Sequence, residues 1–120
     1  MDFDKKLKVL FIGIGGISMS ALAVILKEKG YTVLGSDKYD SDAVKDLRDK
    51  NIEVYIGHKK EHITSDIDLV VYTSAVHEDN EELKEAKIKG IQCIQRSKLL
   101  GYIMQNYNNA INVAGTHGKT

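Results

Sequence analysis

Short unbroken apolar runs alternate along this chain with longer stretches in which apolar residues recur every three to four positions. Leu7 to Ile12 is a run of the first kind and reads as a buried strand. Ser18 to Lys29 carries Met19, Ala21, Leu22, Ala23, Val24, Ile25 and Leu26, then Gly30, and reads as a helix with a glycine stop. Tyr31 to Gly35 predicts a second strand and Glu53 to Ile56 a third. Between them Ser41 caps a helix through Lys50, with Val44 and Leu47 facing inward. Leu69 to Thr73 is a fourth strand. Asn80 caps a helix over Glu81 to Lys89, ended by Gly90, and Ile91 to Ile94 is a fifth strand. In that helix the acids Glu78, Asp79, Glu81 and Glu82 gather at the start and Lys84, Lys87 and Lys89 toward the end, as the macrodipole favours. Ser97 caps a last helix with Leu99, Leu100, Ile103, Met104 and Tyr107 on one face, and Ala110 to Ala114 predicts a sixth short strand.

Strands separated by helices of this length imply right-handed parallel crossovers. The expected fold is α/β: a Rossmann-like, doubly wound, mostly parallel sheet of five or six strands with flanking helices. Ligands bind such sheets at the carboxyl ends of the strands, near the switch point. The polar stretch Asn106-Tyr107-Asn108-Asn109 is the one plausible boundary, with no repeats or low-complexity segments elsewhere.

The 120 residues suit one compact domain, which buries roughly two-thirds of its unfolded surface. Seventeen basic and seventeen acidic side chains cancel, so charge offers no case for nucleic acid or an anionic membrane as partner. Arg48 and Arg96 are the only arginines, which points any phosphate site toward backbone N–H groups. The single cysteine, Cys93, excludes an intrachain disulfide and fits a reducing cytoplasm. Met1 to Lys8 is charged with no long apolar run after it, so neither signal peptide nor membrane span is expected.

The first candidate site is Gly13-Ile14-Gly15-Gly16-Ile17-Ser18, which follows a strand and opens a helix. Gly13 permits the tight turn, Gly15 lets a pyrophosphate approach the backbone, and Ser18 replaces a third glycine. Asp37, at the end of the second strand, stands where a ribose-binding acid would, or caps the following turn. The motif alone does not separate NAD from a UDP-sugar, since both carry a pyrophosphate and a ribose. Thr73 and Ser74, just past the fourth strand, either touch the ligand or bond local backbone. His58 follows a strand and either contacts a base or sits in a solvated turn. His62, His77 and the Lys59-Lys60-Glu61 turn read as surface, and no His, Cys or Asp group has zinc spacing. Cys93 reads as a small apolar strand residue and not a nucleophile.

The second candidate is Ala114-Gly115-Thr116-His117-Gly118-Lys119-Thr120. In such a loop the N–H groups cradle phosphates, the lysine reaches the outer phosphates and the threonine hydroxyl meets Mg²⁺. A strict P-loop would have glycine five residues before Gly118, where this chain has Val113. Read from the residues alone, three functions stay open: a nucleotide-using enzyme cut at its second domain, a complete dinucleotide-binding module of an NAD(P)-dependent oxidoreductase, and a nucleotide-sensing regulatory module.

Together the two loops resemble the Mur ligase family of peptidoglycan synthesis, whose P-loop form is Gly-Thr-x-Gly-Lys-Thr. The resemblance runs in order through Gly13 to Ser20, Gly35-Ser36-Asp37, Gly57-His58, Thr73-Ser74-Ala75-Val76, Arg96 and Ala114 to Thr120. It implies an ATP-dependent, amide-bond-forming ligase of cell-wall biogenesis with three domains, working in the cytoplasm. The doubled glycine and the P-loop histidine are the specific parts. They point to members that join L-alanine to UDP-N-acetylmuramate, against the similar ligase that recycles murein tripeptide. The lactyl carboxylate would be phosphorylated to an acyl phosphate, and the amine of L-alanine would displace phosphate. By this resemblance residues 1–109 are a UDP-substrate-binding domain and residues 110–120 begin a central ATP-binding domain. UDP would be held by Gly13, Ile14, Gly15, Gly16, Ile17, Ser18, Ser36, Asp37, His58, Thr73, Ser74, Ala75 and Arg96. ATP would be held by Gly115, Thr116, His117, Gly118, Lys119 and Thr120, with Lys119 and Thr120 catalytic and Thr120 on Mg²⁺. The 120 residues alone are expected to lack ligase activity.

Overall fold

The computed structural model describes residues 7–111. Five strands form one sheet, β1 (Lys8–Ile12), β2 (Thr32–Asp37), β3 (Glu53–Ile56), β4 (Leu69–Tyr72) and β5 (Gln92–Gln95). They are ordered β3-β2-β1-β4-β5 and every neighbouring pair is parallel. The helices are α1 (Ile17–Glu28), α2 (Asp42–Asp49), α3 (Glu81–Ile88) and α4 (Arg96–Ile111), with a 3-10 turn at Lys60–His62. The α/β, doubly wound expectation holds for the five described strands.

The central strand explains the layering. β1 reads Lys-Val-Leu-Phe-Ile, and Val9, Leu10, Phe11 and Ile12 are all buried. Successive side chains of a strand point to opposite faces, so a strand covered on both sides is apolar throughout. Val9 and Phe11 pack with α1, α2 and α4 through Leu22, Leu26, Val44, Leu47, Leu99 and Ile103. Leu10 and Ile12 pack on the other face with Ile63, Ile67, Leu83 and Ala86. The buried stripe of α1 is Met19, Leu22, Ala23 and Leu26, one helical face. Beyond it Gly30, at φ +96°, lets Tyr31 N–H return to the Leu26 carbonyl at 3.1 Å and turns the chain into β2.

The predicted caps of the short helices are present. The Ser41 hydroxyl accepts from Val44 N–H at 3.3 Å, and the Asn80 side chain accepts from Glu82 and Leu83 N–H at 2.9 and 3.2 Å. Two expectations are corrected at the C-terminal end. The last helix starts at Arg96, directly after β5, and not at a Ser97 cap. It also runs through Asn106–Asn109 to Ile111, so residues 110 and 111 are helical and do not open a sixth strand. That polar stretch contains neither Gly nor Pro, and propagating a helix already anchored by Leu99 and Ile103 adds a hydrogen bond per residue. The rest of that expected strand, and the loop from Ala114 to Thr120, lie outside the described residues.

Gly35 marks the tightest approach in the sheet. A Cβ there would stand 2.6 Å from the Phe11 carbonyl oxygen and 2.7 Å from the Ile14 side chain. Neither neighbour is a flexible chain end, so the added methyl has nowhere to go. Gly35→Ala is expected to cost about 1–3 kcal/mol, the usual range for overpacking, seen as a lower urea midpoint with an unchanged slope.

Candidate functional site

The carboxyl ends of β1, β2, β3 and β4 meet at one edge of the sheet, at the switch point where the strand order reverses on either side of β1. The turn from β1 into α1 crosses this edge, and β2 dictates its shape. Gly13, at φ +82°, turns the chain so that Gly13 and Ile14 N–H both reach the Ser36 carbonyl, at 2.8 and 2.9 Å. Gly15 N–H donates to Asp37 Oδ2 at 2.8 Å, and Gly16 N–H returns to the Gly13 carbonyl at 3.2 Å. A Cβ at Gly15 would lie 2.7 Å from the same Asp37 oxygen, so the contact needs glycine.

This arrangement changes which groups are free. The N–H groups of residues 13–16 are spent inside the loop. The first helical bond of α1 is Ser20 N–H to the Gly16 carbonyl, at 2.8 Å. Ile17, Ser18 and Met19 N–H therefore have no intrahelical partner. Gly16 provides no side-chain cap, and no acid stands in the first turn. Three donors and the positive end of the α1 dipole face outward beside exposed Ser18, a setting suited to a phosphate. Met19 was not singled out in the sequence, although the rule that a helix leaves its first N–H groups unpaired would have found it.

The remaining sequence-predicted residues divide by reach. Ile14 is wholly buried in the α1 face of the core and Ser36 has no exposed surface, so both hold the loop from beneath. Asp37 is half-buried, with Oδ1 accepting from Tyr39 N–H at 3.1 Å. Both of its readings meet there: it clamps the loop, and its carboxylate keeps acceptor capacity for a hydroxyl. Thr73, Ser74 and Ala75 follow β4 at the same edge. Thr73 Oγ1 accepts from Ala75 N–H at 3.3 Å, while Ser74 and Ala75 are exposed. Arg96 opens α4 beyond β5 and pairs with no other described residue.

The structure corrects the reading of one residue, His62, and adds a partner to Glu82 and His58. Glu82, placed by the sequence among the acids at the start of α3, is wholly buried there. His62, read as surface, is 13% exposed, and its Nδ1 lies 2.6 Å from Glu82 Oε2. His58 Nδ1 lies 2.9 Å from Glu82 Oε1, and Ser36 Oγ–H donates to the same oxygen at 2.5 Å. The reason is register: Glu82 shares the inner face of α3 with Leu83 and Ala86, and Ile63 anchors the 3-10 turn beneath it. Among the described residues no group of three or more His, Cys, Asp or Glu is arranged to hold a metal ion. Cys93 stands half-buried in β5, where desolvation raises its thiol pKa and Lys87 only partly opposes. The residues assigned to ATP and Mg²⁺, Gly115 to Thr120, lie outside the described part of the chain.

A five-stranded parallel sheet in the order 3-2-1-4-5, with a glycine loop and the start of a helix at its switch point, defines a Rossmann-like α/β domain. The comparisons narrow that class. Residues 8–108 match the model of the Mur ligase family, catalytic domain, and the chain belongs to that family. The UDP-N-acetylmuramate–L-alanine ligase of Agathobacter rectalis is 55% identical over 120 residues, 100% of this chain and 26% of that protein. Its counterpart in Clostridium kluyveri is 56% identical over 119 residues, 99% of this chain and again 26% of the relative. This chain thus spans about a quarter of the length of the curated relatives it matches. Among solved structures, the UDP-N-acetylmuramate-alanine ligase of Thermotoga maritima superposes with a TM-score of 0.80 at 31% identity, over 83% of this chain and 23% of that one.

Two measurements check this geometry. Asp37→Ala leaves Gly15 N–H without its acceptor and should cost about 1 kcal/mol in urea unfolding, with NMR amide shifts concentrated at Gly13 to Gly16. Iodoacetamide should alkylate Cys93 more slowly in the folded chain than in urea at the same pH, because burial keeps the thiol protonated and shielded.

Proposed function

We propose that this chain is the UDP-substrate-binding part of an ATP-dependent ligase that joins L-alanine to UDP-N-acetylmuramate in peptidoglycan synthesis. Residues 1–109 form that domain and residues 110–120 begin the ATP-binding domain. The observation that carries the reading is the set of free N–H groups of Ile17, Ser18 and Met19, at the sheet edge where the glycine loop has been fixed by Ser36 and Asp37. The identity above 50% to curated alanine-adding ligases along the length of this chain supports the choice of substrate.

The chain's own residues supply binding and orientation. The UDP diphosphate sits against the start of α1, where three N–H donors and the dipole offset its charge without an arginine cluster. Asp37 receives a ribose hydroxyl, and Ser74, Ala75 and Arg96 border the ligand from β4 and β5. His58 stands on the β3 side. Held this way, the substrate points its lactyl carboxylate toward the ATP-binding domain. In that domain Lys119 would neutralise the outer phosphates and Thr120 would hold Mg²⁺, and ATP when bound would supply the phosphoryl group that activates the carboxylate. No described helix is long and apolar enough to cross a membrane. We place the reaction in the cytoplasm, with ATP and nucleotide-linked sugars.

Thermal shift with UDP, UDP-N-acetylmuramate, ATP and NAD in parallel tests the reading. A ligand at 100 times its Kd adds about 2.7 kcal/mol, a shift of several degrees. The two uridine nucleotides are expected to stabilise the 120-residue chain, ATP to do little, and alanine-dependent phosphate release to be absent. Stabilisation by NAD without a response to uridine nucleotides would sink it.

A further inference from the structure

Three donors converge on one buried carboxylate beneath the ligand edge. Glu82 has no exposed surface, and a carboxyl group in that position needs partners within the protein to replace water. Ser36 Oγ–H supplies one bond to Oε1. His58 Nδ1 at 2.9 Å and His62 Nδ1 at 2.6 Å supply the others. With the carboxylate oxygens as acceptors, each imidazole donates from Nδ1, and what each ring does beyond Glu82 is read at its Nε2. Neither Nε2 has a hydrogen-bond partner among the described residues.

The two rings differ in what they face. His62 stacks on Tyr55, centroids 4.0 Å apart and planes within 6°, and is 13% exposed. His58 is 26% exposed and follows Gly57, whose φ of +99° turns the chain at the end of β3. Gly57 N–H donates to the Asp37 carbonyl at 2.8 Å, tying this turn to the residue that clamps the glycine loop. His58 therefore belongs to the ligand edge, and Glu82 lies behind it.

We propose that Glu82 is a positioning residue for the nucleoside half of the ligand, acting through His58. It takes the Nδ1–H of His58 and leaves Nε2 as a fixed acceptor for an N–H or hydroxyl donor of uridine. His62 and Ser36 complete the carboxylate's shell. The inference rests on the UDP reading above and adds the device that orients one contact.

The test has two parts that fail separately. In ¹⁵N-labelled wild-type chain without ligand, the His58 ring is expected to carry hydrogen on Nδ1; a bare Nδ1 overturns the inference and leaves UDP binding untouched. Glu82→Gln keeps the shape but offers a donor where an acceptor stood. It should lower UDP affinity about tenfold, the size of one lost hydrogen bond. Pyrophosphate binding, followed at the amides of Ile17 to Met19, should not change. In a His58→Asn background the same substitution should cost nothing more. Equal losses for UDP and pyrophosphate, or full additivity with His58→Asn, would mark Glu82 as a structural residue only and overturn the proposal. If Glu82→Gln does not fold, the wild-type tautomer decides alone. Absence of any UDP response in wild type would instead overturn the functional reading.

Discussion

The turn between β1 and α1 has almost no bonds of its own, and the end of β2 gives it a shape. Gly35 lets Ile14 sit against the strand without a Cβ in the way. Ser36 offers one carbonyl to two successive N–H groups, and Asp37 takes the third with its carboxylate. A chain segment crossing a sheet edge otherwise leaves these donors to water. Pairing them inside the protein fixes the direction in which α1 leaves the sheet, and with it the direction of the N–H groups of Ile17, Ser18 and Met19. A phosphate site made of backbone would need this rigidity, because a backbone N–H cannot swing toward a ligand as a long side chain can.

The same strand end also reaches the second feature of the edge. Ser36 faces two ways: its carbonyl holds the glycine turn and its hydroxyl enters the Glu82 carboxylate. The buried acid thus sits one residue from the phosphate loop in bonding terms, though it comes from α3, far along the chain. Burying a carboxylate is costly unless its lone pairs are filled. Two imidazoles and a hydroxyl occupy three of them, and His62 in turn stacks on Tyr55 of β3. The apolar layers on the two faces of the sheet set the spacing between these elements, so the polar cluster inherits its geometry from the core.

How much of this was legible depended on the range of the contact. The five strands, the order of helices and the caps at Ser41 and Asn80 rest on local periodicity and local hydrogen bonding, and they are where the pattern placed them. The glycine run was recognisable because a turn with positive φ must follow a strand of this kind. Its free donors were displaced by a few residues from the expected set, since pairing of residues 13–16 with β2 cannot be read along the chain. The sixth strand misled by its apolar start: with neither Gly nor Pro in Asn106–Asn109 to stop it, the last helix continues to Ile111.

Glu82 and His62 show the limit most clearly. An acid in the first turn of a helix is normally solvated, and a histidine beside two lysines and a glutamate normally lies on the surface. Nothing in their neighbourhoods along the chain says otherwise. By itself the sequence determined the parallel α/β architecture, the glycine turn and the family, because periodicity, turn chemistry and motif order are written locally. Only the tertiary structure decided which N–H groups remain free and which charged side chains are buried together. Both depend on partners 20 or more residues away, brought within 3 Å by the packing of the sheet.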